Sequence, residues 1–230
     1  MVKRLILVVL ALSVCFSLAD ARRKSAKAGE LENGWYVDGE HGFKFRLPDG
    51  WSVSIKEKDD PVRLVLVQKN YGVPPDYRDA EDYTQVPRMT VYVAKSDWSA
   101  IAFRDSLLSK TFDNEQKKNI VKYFEILNDM ALGEGTKREA VVTKAKETMY
   151  IDSLPAVSWS GKSQYIKSIT LSASSQSGKR VYGDYAGTII AVKNGGKILL
   201  FHAMTEGMFH APVMAELQPM IQSLDWPADR

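Results

Sequence analysis

The stretch Gly42-Phe-Lys-Phe-Arg-Leu-Pro-Asp-Gly-Trp-Ser-Val-Ser-Ile55 decides the fold class. Apolar and polar residues alternate on both sides of the Pro48-Asp-Gly50 turn, and this period of two is typical of half-buried β-strands. Proline favours the bend, and glycine accepts the positive φ that such turns require. The pattern therefore predicts strands over 42–47 and 51–55, joined as a hairpin-like unit.

Outward from this stretch, runs with strand and helix periodicity follow one another. Strands are predicted at Val62–Val67, Met89–Val93, Ala140–Ile151, Ala156–Trp159, Thr188–Val192 and Lys197–Ala203, with Asn194-Gly-Gly196 as a hairpin turn. Helical spacing predicts one helix after Ser96, a second from Asp113, and a third over Phe209–Leu224 with Val213, Leu217, Met220 and Leu224 on one face. Helices set between runs of strands predict an α+β fold on a mainly antiparallel sheet.

Composition excludes several classes of protein. The chain has 230 residues, of which 45% are hydrophobic and 26% charged, and this balance is typical of a folded protein rather than a disordered one. A formal net charge of +3 is too small to indicate a nucleic-acid-binding protein, so no nucleic-acid partner is expected. One cysteine excludes both an intramolecular disulfide framework and a cysteine-rich metal site.

The N-terminus has the pattern of an export signal. Lys3 and Arg4 precede the apolar run Leu5–Val14, and Ala19-Asp-Ala21 offers the small residues that signal peptidase accepts. Residues 1–21 are therefore predicted to be a signal peptide that is cleaved before Arg22. The apolar run is shorter than the roughly 20 residues of a bilayer-spanning helix, so no membrane span is expected in the mature chain.

A second interpretation of the N-terminus stays open. Leu12-Ser-Val-Cys15 resembles a bacterial lipobox, in which Cys15 would carry a lipid anchor and become the first residue of the mature protein. Valine before the cysteine departs from the small residue that is usual there, which favours cleavage after Ala21. Both interpretations place the protein in the periplasm or cell envelope, with secretion as the alternative.

The rest of the chain shows no linker and no internal repeat. We therefore expect a flexible basic leader over 22–33, one domain over 34–226 and a short tail over 227–230.

Three motifs together resemble one known family. The stretch Gly42–Trp51 is similar to the opening "GFSFRLPDGW" of the PsbP-like superfamily, which includes an extrinsic photosystem II protein, a nuclear Ran-binding protein and exported bacterial DcrB-like proteins. Ile151–Ala156 resembles its "I-x-G-x-P-A" turn, with Ser153 in place of glycine, and Lys197–Trp226 resembles its closing strand and helix. The resemblance implies an α-β-α sandwich on an antiparallel sheet. It implies proteins that act mostly by binding partners, and it supplies no shared catalytic residues.

The motifs with enzyme-like spacing do not support an enzyme. His202-x-x-x-Glu206-x-x-x-His210 could hold zinc on one helix, but it crosses from a predicted strand through Gly207 into the final helix. Gly161-Lys-Ser163 lacks the earlier glycine of a phosphate-binding loop, and no G-x-S-x-G elbow is present. We predict no catalytic residues, no metal and no cofactor. A small-ligand or metal-ion carrier is the alternative, and a hydrolase that joins a histidine, a serine and an acid from distant positions is the least favoured one.

The most unusual segment runs from Asn70 to Val86 between two predicted strands. Tyrosine supplies rigid contact area, and loops on a rigid scaffold often carry recognition, so we predict that this segment contacts an envelope protein partner. A solvated insertion is the other interpretation, and the acids lack the ordered spacing of a calcium loop. The predicted contact residues are Tyr71, Asp76, Tyr77, Asp79, Glu81, Asp82 and Tyr83.

Overall fold

The protein is built on a seven-stranded antiparallel sheet with a three-stranded antiparallel sheet beside it. The computed structural model describes residues 26–69, 87–109, 141–171 and 176–227, and for 106–109, 141–147, 162–171 and 176–184 it describes the backbone alone. The strands are β1 (Glu30–Glu32), β2 (Trp35–Asp38), β3 (Phe43–Arg46), β4 (Trp51–Ile55), β5 (Val62–Gln68), β6 (Arg88–Lys95), β7 (Val141–Ile151), β8 (Leu154–Leu171), β9 (Gln176–Asn194) and β10 (Lys197–Glu206). The helices of the described residues are α1 (Ala100–Ser109) and α2 (His210–Gln222), with a 3-10 turn over Gly207–Phe209 before α2.

The large sheet has the order β4-β5-β6-β10-β9-β8-β7, so the last strand in sequence lies in its centre. β10 pairs with both β6 and β9, and every residue after Lys197 in this strand is buried. A strand that is covered on both faces needs apolar residues at successive positions, which explains the run Ile198-Leu-Leu-Phe201.

Two apolar cores, one on each face of the large sheet, confirm the α-β-α sandwich. On one face, Val213 and Leu217 of α2 pack with the sheet and with Phe43 and Phe45 of the small sheet. On the other face, Phe103 of α1 packs in a second core with strand residues of the large sheet. The predicted α+β class on an antiparallel sheet is therefore correct.

The predicted hairpin over 42–55 is wrong, although both of its strands exist. β3 pairs with β2 in the small sheet, whereas β4 pairs with β5 in the large one. Gly50, at φ 78°, lets the chain turn from one sheet to the other, and its carbonyl accepts a hydrogen bond from the Lys69 amide at 2.8 Å. The aromatic rings of β3 favour this arrangement, because Phe45 packs edge-on against Phe201 of the large sheet with ring centroids 5.6 Å apart.

The C-terminal part of the predicted leader belongs to the fold. Glu30–Glu32 forms β1, which pairs with β2, and Ala28 is buried. The predicted signal peptide, with Cys15, and the helix predicted from Asp113 lie outside the described residues. Within the described residues, no helix is long and apolar enough to cross a membrane.

β8 and β9 are much longer than the sequence predicts and form a two-stranded ribbon. β10 ends at Glu206 opposite Tyr185, and β7 reaches only as far as Lys162. Beyond these points, residues 164–171 of β8 pair with 176–184 of β9 and, among the described strands, with no other. We call these two stretches the ribbon. The end of the large sheet from which it extends is the ribbon end, and the opposite end, with the 194–197 turn, is the turn end.

Candidate functional site

At the turn end, a buried ion pair joins β2 and β5. The Arg63 Nε donates to Asp38 Oδ2 at 2.7 Å, and both side chains are almost fully buried. The Tyr36 hydroxyl also donates to Asp38 Oδ2, at 3.2 Å, and burial raises the pKa of this tyrosine. Glu40 accepts from Arg63 Nη2 at 2.9 Å. Burial acts to raise the pKa of the Glu40 carboxyl, but the hydrogen bond and charge of Arg63 outweigh it, so that pKa is lowered.

Arg63 also fastens the N-terminal segment to the sheet. Its remaining donors reach the carbonyl oxygens of Ala28, Lys58 and Asp60 at 2.8, 2.7 and 3.1 Å. All five guanidinium N–H groups therefore have acceptors. A buried cation that is fully paired in this way links the chain segments that accept its hydrogen bonds. Gly29 allows the N-terminal segment to lie close to β2, because a Cβ at this position would meet the Val37 carbonyl and lie 2.8 Å from the Tyr36 ring.

The same cluster contains a group of potential metal ligands. One donor atom each from Asp38, Glu40 and His41 lies within 4.8 Å of the others. However, Arg63 already supplies the positive charge, and Asp38 Oδ1 accepts the backbone amides of Glu40 and His41 at 3.1 and 3.0 Å. A cation would have to displace or repel the guanidinium, so we assign no metal site here.

At the ribbon end, His210 of α2 is joined to three hydroxyl groups. Its Nε2 lies 2.8 Å from the Thr188 hydroxyl, which in turn lies 2.7 Å from Ser160 Oγ. Its Nδ1 lies 3.3 Å from the Thr205 hydroxyl. Burial lowers the pKa of His210. This chain of hydroxyl groups anchors the first residue of α2 to β8, β9 and β10.

The chain of hydroxyl groups around His210 does not form the triad that a hydrolase needs. The histidine contacts a threonine and, through it, a serine, but the hydrogen bonds to its ring come from hydroxyl groups and from no carboxylate of the described residues. His202 and Glu206 lie on β10, whereas His210 begins α2, so the three residues do not share a helix face. The expected passage of this motif from a strand into the final helix is correct, but Glu206 is buried and His210 half-buried, so these two are not the surface residues that the spacing suggested. His41 lies in the β2–β3 turn.

Acidification should weaken the fold through His210. Because burial keeps its pKa below the ordinary value of about 6.5, its contribution is complete above that pH and is lost as the pH falls through the folded-state pKa. We expect the free energy of unfolding, measured by urea titration from about pH 8 to about pH 5, to decrease less steeply in His210→Gln than in the parent. Burial also lowers the pKa of His41, so His41→Gln is measured beside His210→Gln as a comparison that removes the other histidine with a lowered pKa. Equal slopes in His210→Gln and the parent would contradict the assignment.

The predicted contact residues Tyr71, Asp76, Tyr77, Asp79, Glu81, Asp82 and Tyr83 lie outside the described residues, as does Cys15. The structure does describe the base of their segment. The Gln68 amide donates to the Pro87 carbonyl at 3.1 Å, so the two ends of segment 70–86 meet on neighbouring strands. Glu216 of α2 stabilises this base, because its carboxylate accepts hydrogen bonds from Gln68 Nε2 at 3.0 Å and from Trp51 Nε1 at 2.7 Å.

Sequence analysis missed the Arg63 cluster. The available signal was Arg63 itself, a single charge inside the apolar run Val62–Val67. A charge within a buried strand requires a partner, but the partner on β2 lies in another sheet and is not indicated by any local pattern.

The two sheets and the helices on the two faces of the large one define a protein of the α-β-α sandwich class. No protein-family profile and no curated protein sequence matches the chain. Among solved structures, it is similar to PsbP (CyanoP) from Synechocystis sp. PCC 6803, with 15% identity over 86% of this chain and 96% of that one and a TM-score of 0.48. It is also similar to a Mog1 mutant, with 11% identity over 86% and 97% and a TM-score of 0.43.

A third solved structure is LpqN, described as involved in cell envelope biogenesis of Mycobacterium tuberculosis. The identity is 10% over 79% of this chain and 81% of that one, with a TM-score of 0.37.

Proposed function

We propose that this protein is an exported, non-enzymatic binding or accessory protein of the bacterial cell envelope that acts through protein–protein contacts. The observation that carries the proposal is the base of segment 70–86, where the backbone amide of Gln68 on β5 donates to the carbonyl of Pro87, just before β6. A rigid sheet therefore presents a segment rich in tyrosine and acidic residues. The export signal predicted at residues 1–21 supports the location.

The two ionisable clusters support a non-enzymatic role. Arg63 uses all its donors within the fold, and His210 holds the start of α2 through hydroxyl groups. Catalytic groups need at least one reactive atom directed at a substrate, and these atoms are directed at other parts of the protein. The two clusters are therefore explained by their structural roles.

Deleting residues 74–82 should abolish capture of the envelope partner while leaving the fold intact. The base of the segment, including the Gln68–Pro87 hydrogen bond, lies outside the deletion, so both strands keep their pairing. The measurement is crosslinking and affinity capture from an envelope fraction, with circular dichroism and urea unfolding to verify the fold.

Two matched variants refine this deletion experiment. Replacing Tyr71, Tyr77 and Tyr83 by serine should reduce capture of the partner. Tyr150→Ser, which changes an exposed tyrosine at the turn end, should leave capture unchanged. Unchanged capture by the deletion protein would refute the contact role of the segment. A melting temperature that rises with added calcium or zinc would instead favour the metal-carrier alternative.

A further inference from the structure

Arg88 lies on the face of the large sheet on which α1 packs, at the ribbon end. It begins β6, and the residues directly opposite it are Val67 of β5 and Met204 of β10. Opposed residues of an antiparallel sheet point to the same face, so two apolar side chains flank the Arg88 side chain. Val67 packs against the core that contains Phe103 of α1, which assigns Arg88 to this face.

Exposure on this face increases from the centre of the sheet towards Arg88. Thr90 and its partner His202 form the next pair towards the centre, and both are buried, as is Met204. Arg88 and Val67 are half-buried. The cation of Arg88 is therefore partly removed from water, while part of its side chain still reaches solvent.

The guanidinium of Arg88 has no counter-ion among the described residues. Its Nε is buried without a hydrogen-bond acceptor, and no ion pair of the described residues includes it. Burial lowers the pKa of Arg88, and among the described groups only the Tyr92 phenol acts to raise it. A partly desolvated cation without a partner costs free energy, so this position favours the binding of an anion.

Arg63, on the neighbouring strand β5, provides the comparison, because it is a structural arginine of the same sheet. Burial acts to lower the pKa of Arg63 as well, but the hydrogen bonds and charges of Asp38 and Glu40 outweigh it, so that pKa is raised. The two arginines therefore differ in whether an acid accompanies them. Arg63 joins several chain segments through its acceptors, whereas Arg88 joins none of the described segments through a hydrogen bond or an ion pair.

We propose that Arg88 binds the carboxylate of a small molecule with an apolar tail, and that this tail lies against Val67 and Met204. A guanidinium presents two parallel N–H donors to the two oxygens of a carboxylate. One carboxylate neutralises the one unpaired charge, whereas a phosphate dianion would bring a second negative charge among apolar side chains. The apolar neighbours gain from contact with a hydrocarbon tail. This site is distinct from the protein–protein contact of segment 70–86, and the proposal does not rest on that contact.

Isothermal titration calorimetry with octanoate tests this inference on the chain that begins at Arg22. We expect octanoate to bind, acetate to bind much more weakly because it lacks the tail, and octanamide to bind weakly because it lacks the charge. Arg88→Met should weaken octanoate binding by roughly 10- to 100-fold, since it removes hydrogen bonds between two charged groups. The matched control is Arg46→Met, which removes an exposed arginine of β3 in the small sheet and should leave binding unchanged.

The melting temperature separates this role from a structural one. An unpaired cation contributes no ion pair to the fold, so Arg88→Met should keep or raise the melting temperature of the ligand-free protein. Octanoate should raise the melting temperature of the parent and leave that of Arg88→Met unchanged. A marked fall in ligand-free Arg88→Met would show that Arg88 has a structural partner, and this would overturn the inference.

Three binding results would also overturn the inference. They are no binding of octanoate to the parent, equal binding of octanoate and octanamide, and equal binding of octanoate and inorganic phosphate. The second would remove the role of the charge, and the third would remove the role of the tail. None of these results bears on partner capture by segment 70–86, so the two proposals fail independently.

Discussion

Replacing Arg63 by methionine is expected to lower the free energy of unfolding by about 3–5 kcal/mol. The change leaves the Asp38 carboxylate buried with only the Tyr36 hydroxyl and two backbone amides around it. It also removes the side-chain donors to Ala28, Lys58 and Asp60, so the N-terminal segment loses its fastening. Urea unfolding at neutral pH measures the effect, and limited proteolysis should cut near Ala28 before the rest of the fold.

The chain offers a control for the burial of this ion pair. Lys44 and Asp225 form an ion pair of similar length, 3.0 Å, but both side chains are about half exposed. Lys44→Met should therefore cost no more than about 1 kcal/mol. Asp38→Asn keeps an oxygen for the two amides but loses the charge, and combined with Arg63→Met it should cost less than the sum of the two single changes. Equal effects of Arg63→Met and Lys44→Met would contradict the role assigned to burial.

Replacing Phe201 by alanine is expected to cost about 3–5 kcal/mol as well, for a different reason. Phe201 is fully buried at the centre of β10 and packs edge-on against Phe45 of the small sheet. Its removal opens a cavity where the two sheets meet, and a well-packed core relaxes only partly into such a cavity. The measurement is again the free energy of unfolding, together with the near-UV circular dichroism of the aromatic cluster.

The size of the cavity can be separated from the loss of an aromatic ring. Phe201→Leu keeps most of the volume and should cost much less than the alanine change, whereas Tyr150→Ala, at an exposed position, should change stability by no more than about 0.5 kcal/mol. A small effect of Phe201→Ala would show that the two sheets do not depend on this contact.

Local patterns in the sequence predicted the elements of the fold better than their partners. Alternation identified β3 and β4, and helical spacing identified the buried residues Val213, Leu217 and Met220 of α2. Which strands pair is a long-range property, so the hairpin expected across Gly50 is replaced by strands in two sheets. The ribbon was missed for a related reason. Its residues 164–171 and 176–184 include serine and glycine, and among the described strands they pair only with each other.

The candidate sites follow the same division. The unusual composition of segment 70–86 indicated it as a candidate site from the sequence. The structure adds that the Gln68–Pro87 hydrogen bond joins the two ends of this segment. Arg63 and His210 acquire their roles only in the folded chain, since their partners on β2, β9 and β10 are remote in sequence. The structure likewise shows that Met208 is exposed in the turn between β10 and α2, whereas the sequence shows only an apolar residue before a helix.

The sequence by itself thus determined the α+β class, the periodicity of most strands and helices, the predicted export signal and the lack of a local catalytic motif. Each of these depends on residues that are close together along the chain, where backbone geometry translates spacing into structure. Only the tertiary structure decided the strand order, the buried Asp38–Arg63 pair and the difference between the two ends of the sheet. These features depend on side chains that the fold brings together from distant positions, and no local pattern records that proximity.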